Sequence, residues 1–165
     1  MRYNTIRKMD ISNGPGLRVS IFMQGCHFHC KDCFNEETWD FNGGEEFNDD
    51  VINRVLELAS ADYIVGLSVL GGEPMHPKNI QGTTKLVKAF REKYPDKSIW
   101  VWSGYLFDKD LSKKEVLNYI DVLVDGTFKI DLFDPKLKWK GSSNQRVIDV
   151  KKSLKNKKVI LYEEE

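Results

Sequence analysis

YIVGLSVLGGEP, residues 63–74, joins a short apolar run to two glycines, a glutamate and a proline. The apolar part, residues 63–70, has the length of a strand and is hydrophobic at nearly every position, which is typical of a strand buried on both faces. Such strands belong to parallel sheets that helices cover. The stretch therefore predicts an α/β fold, and Gly71 and Gly72 mark the end of the strand.

The segments on either side continue this alternation of strands and helices. LRVSIFMQ, residues 17–24, has apolar side chains at every second position and ends directly at Gly25-Cys26. Further strands are predicted at residues 98–102, 121–125, 146–150 and 158–162. Helices are predicted from a cap at Asn48, over residues 78–92, and from Ser112, where Glu115 completes a capping box. Right-handed βαβ units of this kind predict an α/β sheet or an incomplete barrel, in a single domain over residues 1–165.

The charge balance and the hydropathy of the chain exclude several classes of partner. The 165 residues include 25 basic and 25 acidic side chains, so no net field draws the protein to nucleic acid or to an anionic membrane. The opening residues lack the apolar centre of a signal peptide, and no run approaches the ~18 apolar residues of a membrane span. We expect a cytoplasmic protein that binds neither nucleic acid nor membrane.

All three cysteines lie in the loop after the strand predicted at residues 17–24. They have the spacing C-x3-C-x2-C, at Cys26, Cys30 and Cys33. The cytosol keeps such thiols free to bind metal, and three thiolates suit a 4Fe-4S cluster with one iron open to an external ligand. Two alternatives remain: a tetrahedral zinc site with His27 or His29 as the fourth ligand, and three buried thiols without metal.

Parallel α/β folds gather their working groups at the carboxyl ends of the strands. Three ends here carry unusual residues: the cysteine loop, the turn at residues 71–74 and the segment at residues 102–105. In the turn, Gly71 and Gly72 would let a ligand approach the backbone. The Glu73 carboxylate and backbone carbonyls could then hold the ammonium of an amino acid. The alternative, for a turn that Pro74 stiffens, is an ordinary connection from strand to helix.

The cysteine loop after the first predicted strand and the GGEP turn after the second together resemble the radical S-adenosylmethionine (SAM) superfamily. The resemblance implies an incomplete TIM-like barrel in which Cys26, Cys30 and Cys33 bind a 4Fe-4S cluster. It also implies that the fourth iron binds SAM, and that an electron from the cluster splits SAM into methionine and a 5'-deoxyadenosyl radical. By the same resemblance, the methionine end of SAM is lined by Gly71, Gly72, Glu73 and Pro74.

Within this superfamily, five stretches are similar to the activating proteins of anaerobic ribonucleoside-triphosphate reductase. They are NGPGLR (13–18), CFNEETWD (33–40), WVWSGY (100–105), DVLVDGTF (121–128) and KWKGSSNQRVID (138–149). The resemblance implies an enzyme that takes a hydrogen atom from the α-carbon of one glycine of the reductase and leaves a stable glycyl radical. No side chain is expected to act as an acid or base in that step, so no catalytic residue is predicted.

The resemblance also implies two protein partners, the large subunit of the reductase and a flavodoxin- or ferredoxin-like electron donor. The lysine run at residues 151–158 is typical of a solvated face, and the alternative is that it attracts an acidic donor. GSSNQR, residues 141–146, is typical of a turn, and docking of the partner is the alternative. Two other functions stay open: activation of a different glycyl-radical enzyme, such as pyruvate formate-lyase, and a zinc-binding module without catalysis.

Contacts to the nucleoside of SAM are predicted from position. The residue before the third cysteine is often aromatic in the superfamily but is Asp32 here, so Phe34 is expected to supply part of the contact with adenine. Residues 32–34, which include Cys33, are expected to border the nucleoside. Ser103 and Asp125, at the ends of later strands, are candidates for contacts with the ribose or the carboxylate. Capping of the strand is the alternative for both.

Overall fold

The computed structural model describes residues 1–163 and arranges them around one sheet. Its strands within this range are β1 (Arg2–Asp10), β2 (Arg18–Gln24), β3 (Glu45–Glu46), β4 (Gly66–Gly71), β5 (Ser98–Ser103), β6 (Val122–Asp125) and β7 (Arg146–Asp149). The α-helices are α1 (Asp49–Leu58), α2 (Ile80–Lys93) and α3 (Val150–Asn156), and short 3-10 helices lie at Glu36–Thr38, Glu115–Asn118 and Ile130–Leu132. The predicted α/β class is confirmed.

The strand order is β3-β1-β2-β4-β5-β6-β7. The four central strands, β2, β4, β5 and β6, are parallel neighbours, whereas β1, β3 and β7 join at the edges in antiparallel pairs. The carboxyl ends of the four parallel strands therefore meet at one end of the sheet. The sheet is open, with β3 and β7 at its edges. The incomplete TIM-like barrel and the single domain over residues 1–165 stay predictions.

The two faces of the sheet differ in what covers them. One face packs against α1 and α2 in the main core, to which the strands contribute Val19, Ile21, Met23, Leu67, Val69, Ile99, Val101 and Leu123. Alternate residues face the other way, where Trp100, Val122 and Val124 pack with Trp102, Trp139, Val147 and Tyr162. Among the described residues, no helical residue belongs to this second cluster. This helix-free face leads to the carboxyl ends of the parallel strands.

A buried arginine joins the opposite, amino ends of the strands. Arg18 in β2 is fully buried, and its guanidinium donates hydrogen bonds to the hydroxyls of Ser68 (2.8 Å) and Ser98 (2.9 Å) in the next two strands. It also donates to the backbone carbonyl of Pro15, in the loop before β2. Burial lowers its pKa to about 10. Satisfied donors allow this charge to stay inside the protein and hold β2, β4 and β5 in register.

Most predicted elements are confirmed. β2, β4, β5, β6 and β7 lie where the apolar pattern indicates, although β4 begins only at Gly66, after the exposed Tyr63 and Val65. α1 begins as predicted, since the Asn48 side chain accepts a hydrogen bond from the Val51 amide at 3.2 Å. α2 covers most of the range predicted at residues 78–92.

Two predicted elements are wrong. No α-helix starts at Ser112; the chain forms only the 3-10 helix Glu115–Asn118, which begins at Lys114 without a side-chain cap. Val116 and Leu117 are both buried, and a tight turn places such consecutive residues against the core. Residues 158–162 form no strand either. They run beside β7 through a single bridge between Leu161 and Ile148, after the unpredicted helix α3.

The strands β1 and β3, on the antiparallel side of the sheet, were not predicted. β1 buries only Tyr3 and Asp10, and β3 is exposed, so neither strand has the apolar pattern of an inner strand. Within residues 1–163, no helix combines the length and the hydropathy that crossing a bilayer requires.

Candidate functional site

The cysteine loop starts at the end of β2 and returns to the same strand. The amide of Gly25 donates to the carbonyl of Thr38 (2.6 Å), and that of Cys26 donates to the carbonyl of Trp39 (3.1 Å). The buried Gln24 side chain adds hydrogen bonds from Nε2 to the carbonyls of Glu37 (3.0 Å) and Asp40 (2.8 Å). Both ends of the loop are therefore fixed by bonds that involve no thiol.

The three thiols are free and line one wall of a cavity of about 470 Å³. Cys26 is buried, whereas Cys30 and Cys33 are half-buried. Burial raises the pKa of the Cys26 and Cys30 thiols, so both favour the neutral form until a cation stabilises the thiolate. The amide of Asn35 lies 3.4 Å from Cys33 Sγ and donates to it. This donor set suits a cation that can displace protons from sulfur.

The two histidines of the loop do not join the cysteines around a common point. The His29 ring stacks on Trp39, with centroids 4.3 Å apart and planes at 6°, and the His27 ring lies beside Phe28 and His76. Within residues 1–163, no three His, Cys, Asp or Glu side chains converge closely enough to hold a single metal ion. In a 4Fe-4S cluster, by contrast, each cysteine binds a different iron, so the thiols need not converge.

The glycine pair beside the start of the cysteine loop keeps two strand ends in close contact. Gly71 has φ +111°, and a Cβ atom there would lie 2.6 Å from the Met23 amide nitrogen. A Cβ atom on Gly72 would lie 2.6 Å from the carbonyl oxygen of Gly25. Both glycines line the cavity, but Pro74 does not; it is buried, and its carbonyl accepts a hydrogen bond from Thr83. The predicted turn is thus a packed junction as well as part of the cavity wall.

Glu73 is buried on the cavity wall and joins the ends of β4 and β5. Its carboxylate accepts hydrogen bonds from the Ser103 hydroxyl (2.7 Å), the Gly104 amide (2.7 Å) and the Met75 amide (2.9 Å). Burial raises its pKa to about 7, although these three donors favour the charged form. Both oxygens already have partners, so the first role of this carboxylate is to join the strands. Its predicted contact with an ammonium group stays a prediction.

A buried amide, which sequence reasoning missed, braces the same junction. Asn79, just before α2, donates from Nδ2 to the Glu73 carbonyl at 2.9 Å and lies 3.3 Å from the Gln24 carbonyl. It therefore joins the turn at residues 71–74 to the start of the cysteine loop. Only its position after Pro77, among turn residues, could have suggested a local role.

The two serine and aspartate candidates at later strand ends have different positions. Ser103 lines the cavity, where its hydroxyl bonds Glu73. Asp125 is fully buried and does not line the cavity; it accepts hydrogen bonds from the Phe107 amide (2.8 Å) and from Arg146 (2.6 Å). Asp125 thus ties the loop after β5 to β7. A contact of either residue with the ribose or carboxylate of SAM stays a prediction.

The residues around Cys33 also differ from one another. Asp32 is exposed, has φ +57° and lies off the cavity wall. Phe34 lines the cavity although it is 66% exposed, and its ring contacts those of Phe128 (5.0 Å) and Phe133 (5.8 Å). Of residues 32–34, the structure brings Cys33 and Phe34 to the cavity, and their contacts with adenine stay a prediction.

Several cavity residues were not predicted, because distant parts of the chain contribute them. The aromatic members are Phe22, Phe28, Trp39, Phe128 and Trp139, and Trp102 joins them from the predicted segment at residues 102–105. Polar members at the other end of the cavity, on β1 and the loop after it, are Arg7, Ser12 and Asn13. The cavity therefore extends from the cysteines along the helix-free face of the sheet. It combines a thiol wall with a wide apolar surface.

Comparison with known proteins gives a consistent result. A family model described as a 4Fe-4S single cluster domain matches residues 12–148. This match favours the iron-sulfur interpretation of the cysteine loop over the zinc interpretation.

Curated relatives match almost end to end. The anaerobic ribonucleoside-triphosphate reductase-activating protein of Vibrio cholerae is 40% identical over 148 residues, which cover 88% of this chain and 96% of the relative. The protein of the same name from Escherichia coli is 41% identical over 150 residues (89% and 97%). That of Enterobacteria phage T4 is 39% identical over 147 residues (89% and 93%).

Proposed function

Because this chain belongs to the family of anaerobic ribonucleoside-triphosphate reductase-activating proteins, we propose that it generates the glycyl radical of such a reductase by reductive cleavage of SAM. In this proposal it is an oxidoreductase of the radical SAM type. The hydrogen atom comes from the α-carbon of one glycine of the large reductase subunit. A flavodoxin- or ferredoxin-like protein supplies the electron, and the reaction takes place in the cytoplasm.

The observation that carries the proposal is the cavity wall formed by Cys26, Cys30 and Cys33. Three thiols on one loop provide ligands for three irons and leave a fourth iron to an external ligand. When bound, a reduced 4Fe-4S cluster supplies the electron that splits SAM into methionine and a 5'-deoxyadenosyl radical. This radical takes the hydrogen atom from glycine and becomes 5'-deoxyadenosine.

The residues of the cavity wall beside the start of the cysteine loop fit the amino acid end of SAM. Gly71 and Gly72 have no side chains, so a ligand can approach their backbone closely. Glu73 and Ser103 fix the end of β4 against that of β5, which keeps this wall in place. We propose that these residues, with Pro74 behind them, position the methionine part of SAM.

The aromatic surface fits the nucleoside and the exclusion of water. Phe34 and Phe128 form an apolar edge beside Cys33, where an adenine ring can pack. Asp32, the residue before Cys33, is exposed to solvent, and Asp125 holds the loop after β5 through the Phe107 amide. A radical in such a site meets few solvent molecules, so it reacts with the carbon that is placed next to it.

The helix-free face of the sheet suits entry of a polypeptide. The cavity continues from the cysteines to Asn13 and Arg7 at the edge of the sheet, and among the described residues no helix packs on this face. A glycine on an extended segment could therefore reach the cysteine end from the side. The loop at residues 141–146, of which Gly141 and Gln145 line the cavity, is the part of the wall placed to contact that segment.

The test is anaerobic reconstitution with iron and sulfide, followed by reduction in the presence of SAM. We expect about four irons per chain, formation of 5'-deoxyadenosine, and a glycyl signal in electron paramagnetic resonance (EPR) spectra when the reductase subunit is added. Replacement of Cys26, Cys30 or Cys33 by alanine should abolish all three results. A reconstituted wild-type protein that forms no 5'-deoxyadenosine would contradict the proposal.

A matched variant separates this proposal from zinc binding. His27→Ala and His29→Ala should keep the iron content and the cleavage of SAM, because neither ring contributes to the thiol wall. A tetrahedral zinc site with a histidine ligand would instead lose metal in one of them. A glycyl signal on pyruvate formate-lyase, and none on the reductase, would reassign the target while leaving the chemistry intact.

A further inference from the structure

A groove between α2 and the 3-10 helix before β6 carries an excess of positive charge. Its volume is about 440 Å³, and the charged residues that line it are Lys85, Lys88, Lys114 and Glu115. Lys85 pairs with Asp49 at 2.5 Å, whereas within residues 1–163 neither Lys88 nor Lys114 forms an ion pair. Both of these lysines are exposed. This lysine groove therefore presents two cations without carboxylate partners, in a chain whose total charge is zero.

One end of the lysine groove lies beside the cysteine loop. Ile80, the first residue of α2, lines the groove. Asn79, directly before it, has its Nδ2 atom 3.5 Å from the carbonyl oxygen of Gly25, and Gly25 precedes Cys26. The groove therefore begins close to the proposed cluster. Because α2 packs in the main core, the groove and the cavity lie on opposite faces of the sheet.

Five rings continue the surface from the lysine groove to the cysteine loop. They form a ring cluster of His27, Phe28, Phe41, His76 and Tyr105, in which neighbouring centroids lie 4.3–5.7 Å apart. The His76 carbonyl accepts the amide hydrogen of the first residue of α2 at 2.8 Å, so the cluster adjoins the groove. The His27 ring is exposed, and the other four are half-buried. Accessible aromatic clusters of this kind are typical of protein-binding surfaces.

We propose that the ring cluster and the lysine groove together form the docking surface for an acidic electron-donor protein of the flavodoxin or ferredoxin type. The inference rests on the proposed function, because it requires a cluster at the cysteine loop. The rings supply the contact nearest to that cluster. Lys78, whose Nζ atom lies 4.9 Å from the centre of the Phe41 ring, joins Lys88 and Lys114 in attracting the donor. The donor and the reductase then do not compete for one face of the sheet.

The experiment measures the rate at which reduced flavodoxin, and in a parallel series reduced ferredoxin, reduces the anaerobically reconstituted cluster at low salt. Dithionite, a small reductant that needs no docking surface, serves as the reference. Lys88→Glu/Lys114→Glu should lower the second-order rate constant for the protein donor by about tenfold, because the attraction becomes a repulsion. The difference should shrink as salt is added. The iron content and the rate with dithionite should stay those of the wild type.

The lysine run provides a matched control. Lys155→Glu/Lys158→Glu makes the same change in total charge at two exposed lysines in and after α3, and it should keep the wild-type rate with the protein donor. Lys88→Gln/Lys114→Gln removes the positive charge without adding negative charge and should give a fall of about threefold. This pair decides the question if glutamates in the groove prevent cluster assembly.

Unchanged rates with both protein donors in the Lys88/Lys114 variants would overturn the inference, as would equal falls in the groove variant and the control. Slower formation of the glycyl radical with dithionite as the electron source would also overturn it, because the groove would then bind the reductase. All these outcomes leave the proposed function standing if the wild type still cleaves SAM with dithionite. A wild type that forms no 5'-deoxyadenosine with dithionite would instead contradict the proposed function itself.

Discussion

Replacing Glu73 by glutamine should change how the stability of the protein depends on pH. The pKa of Glu73 is raised by burial from an ordinary value of 4.5 to about 7. Between these two values the folded chain keeps a proton that the unfolded chain releases. The wild type therefore has this stabilisation in full below pH 4.5 and loses it as the pH rises through 7. The difference between the two pKa values corresponds to about 3 kcal/mol in the free energy of unfolding.

Urea unfolding under anaerobic conditions, at about pH 5 and about pH 8 and with the cysteine thiols kept reduced, measures this effect. Glutamine does not titrate, so the stability of Glu73→Gln relative to the wild type should improve by about 2.5 kcal/mol between the two pH values, because the wild type has already lost part of the stabilisation at the lower one. At the lower pH the variant should be less stable than the wild type by about 1–3 kcal/mol. Its NH₂ group faces one of the three groups that donate hydrogen bonds to Glu73, and it cannot accept that bond.

Glu57→Gln, on the exposed side of α1, is the control and should follow the wild type at both pH values. A stability difference between Glu73→Gln and the wild type that stays constant with pH would refute the reasoning. In that case the three hydrogen bonds would outweigh burial, and Glu73 would be charged throughout this range.

Four further variants, one of them a control, test other parts of the structure. Gly71→Ala should lower the free energy of unfolding by about 1–3 kcal/mol and reduce the iron bound on reconstitution, because a Cβ atom at φ +111° meets the backbone of β2; unchanged stability would refute this contact. Arg146→Met should destabilise the fold by about 2–4 kcal/mol in urea unfolding, since it leaves the fully buried Asp125 carboxylate without its cation. Lys85→Met, which breaks an exposed pair, should cost less than about 1 kcal/mol, and equal losses would contradict the distinction. Lys155→Glu should leave the rate of cluster reduction unchanged at low and moderate salt, because α3 begins beside the amino end of β6, away from the cysteine loop; a slower, salt-dependent rate would restore the lysine run as a docking site for the donor.

The inner strands could be predicted from sequence because their apolar side chains either alternate, as in residues 17–24, or form a short continuous run, as in residues 63–70. β4 and β6 are buried along most of their length, and this pattern survives whatever surrounds them. β1 could not be predicted in the same way, since it buries only Tyr3 and Asp10 and therefore lacks the apolar pattern of an inner strand. The prediction of an α-helix from Ser112 was wrong. The burial of Val116 and Leu117, which favours the short 3-10 helix, outweighed the local cap signal.

The candidate site divides along a similar line. The cysteine loop is one contiguous stretch of sequence, and so is the turn at residues 71–74. The residue spacing within each stretch was therefore enough for the prediction. The aromatic wall was out of reach because Trp39, Phe128 and Trp139 come together only when the sheet forms. The role of Asp125 as an anchor was equally hidden, because its partner Arg146 lies 21 residues further along the chain.

The way in which the cysteine loop is anchored has a consequence for repair of the protein. Backbone bonds from Gly25 and Cys26, and the amide of Gln24, secure the loop whether or not its thiols carry iron. If oxygen destroys the cluster, the cysteine loop should therefore stay ordered. Refilling it calls for iron, sulfide and reductant, and little additional ordering of the polypeptide opposes the process.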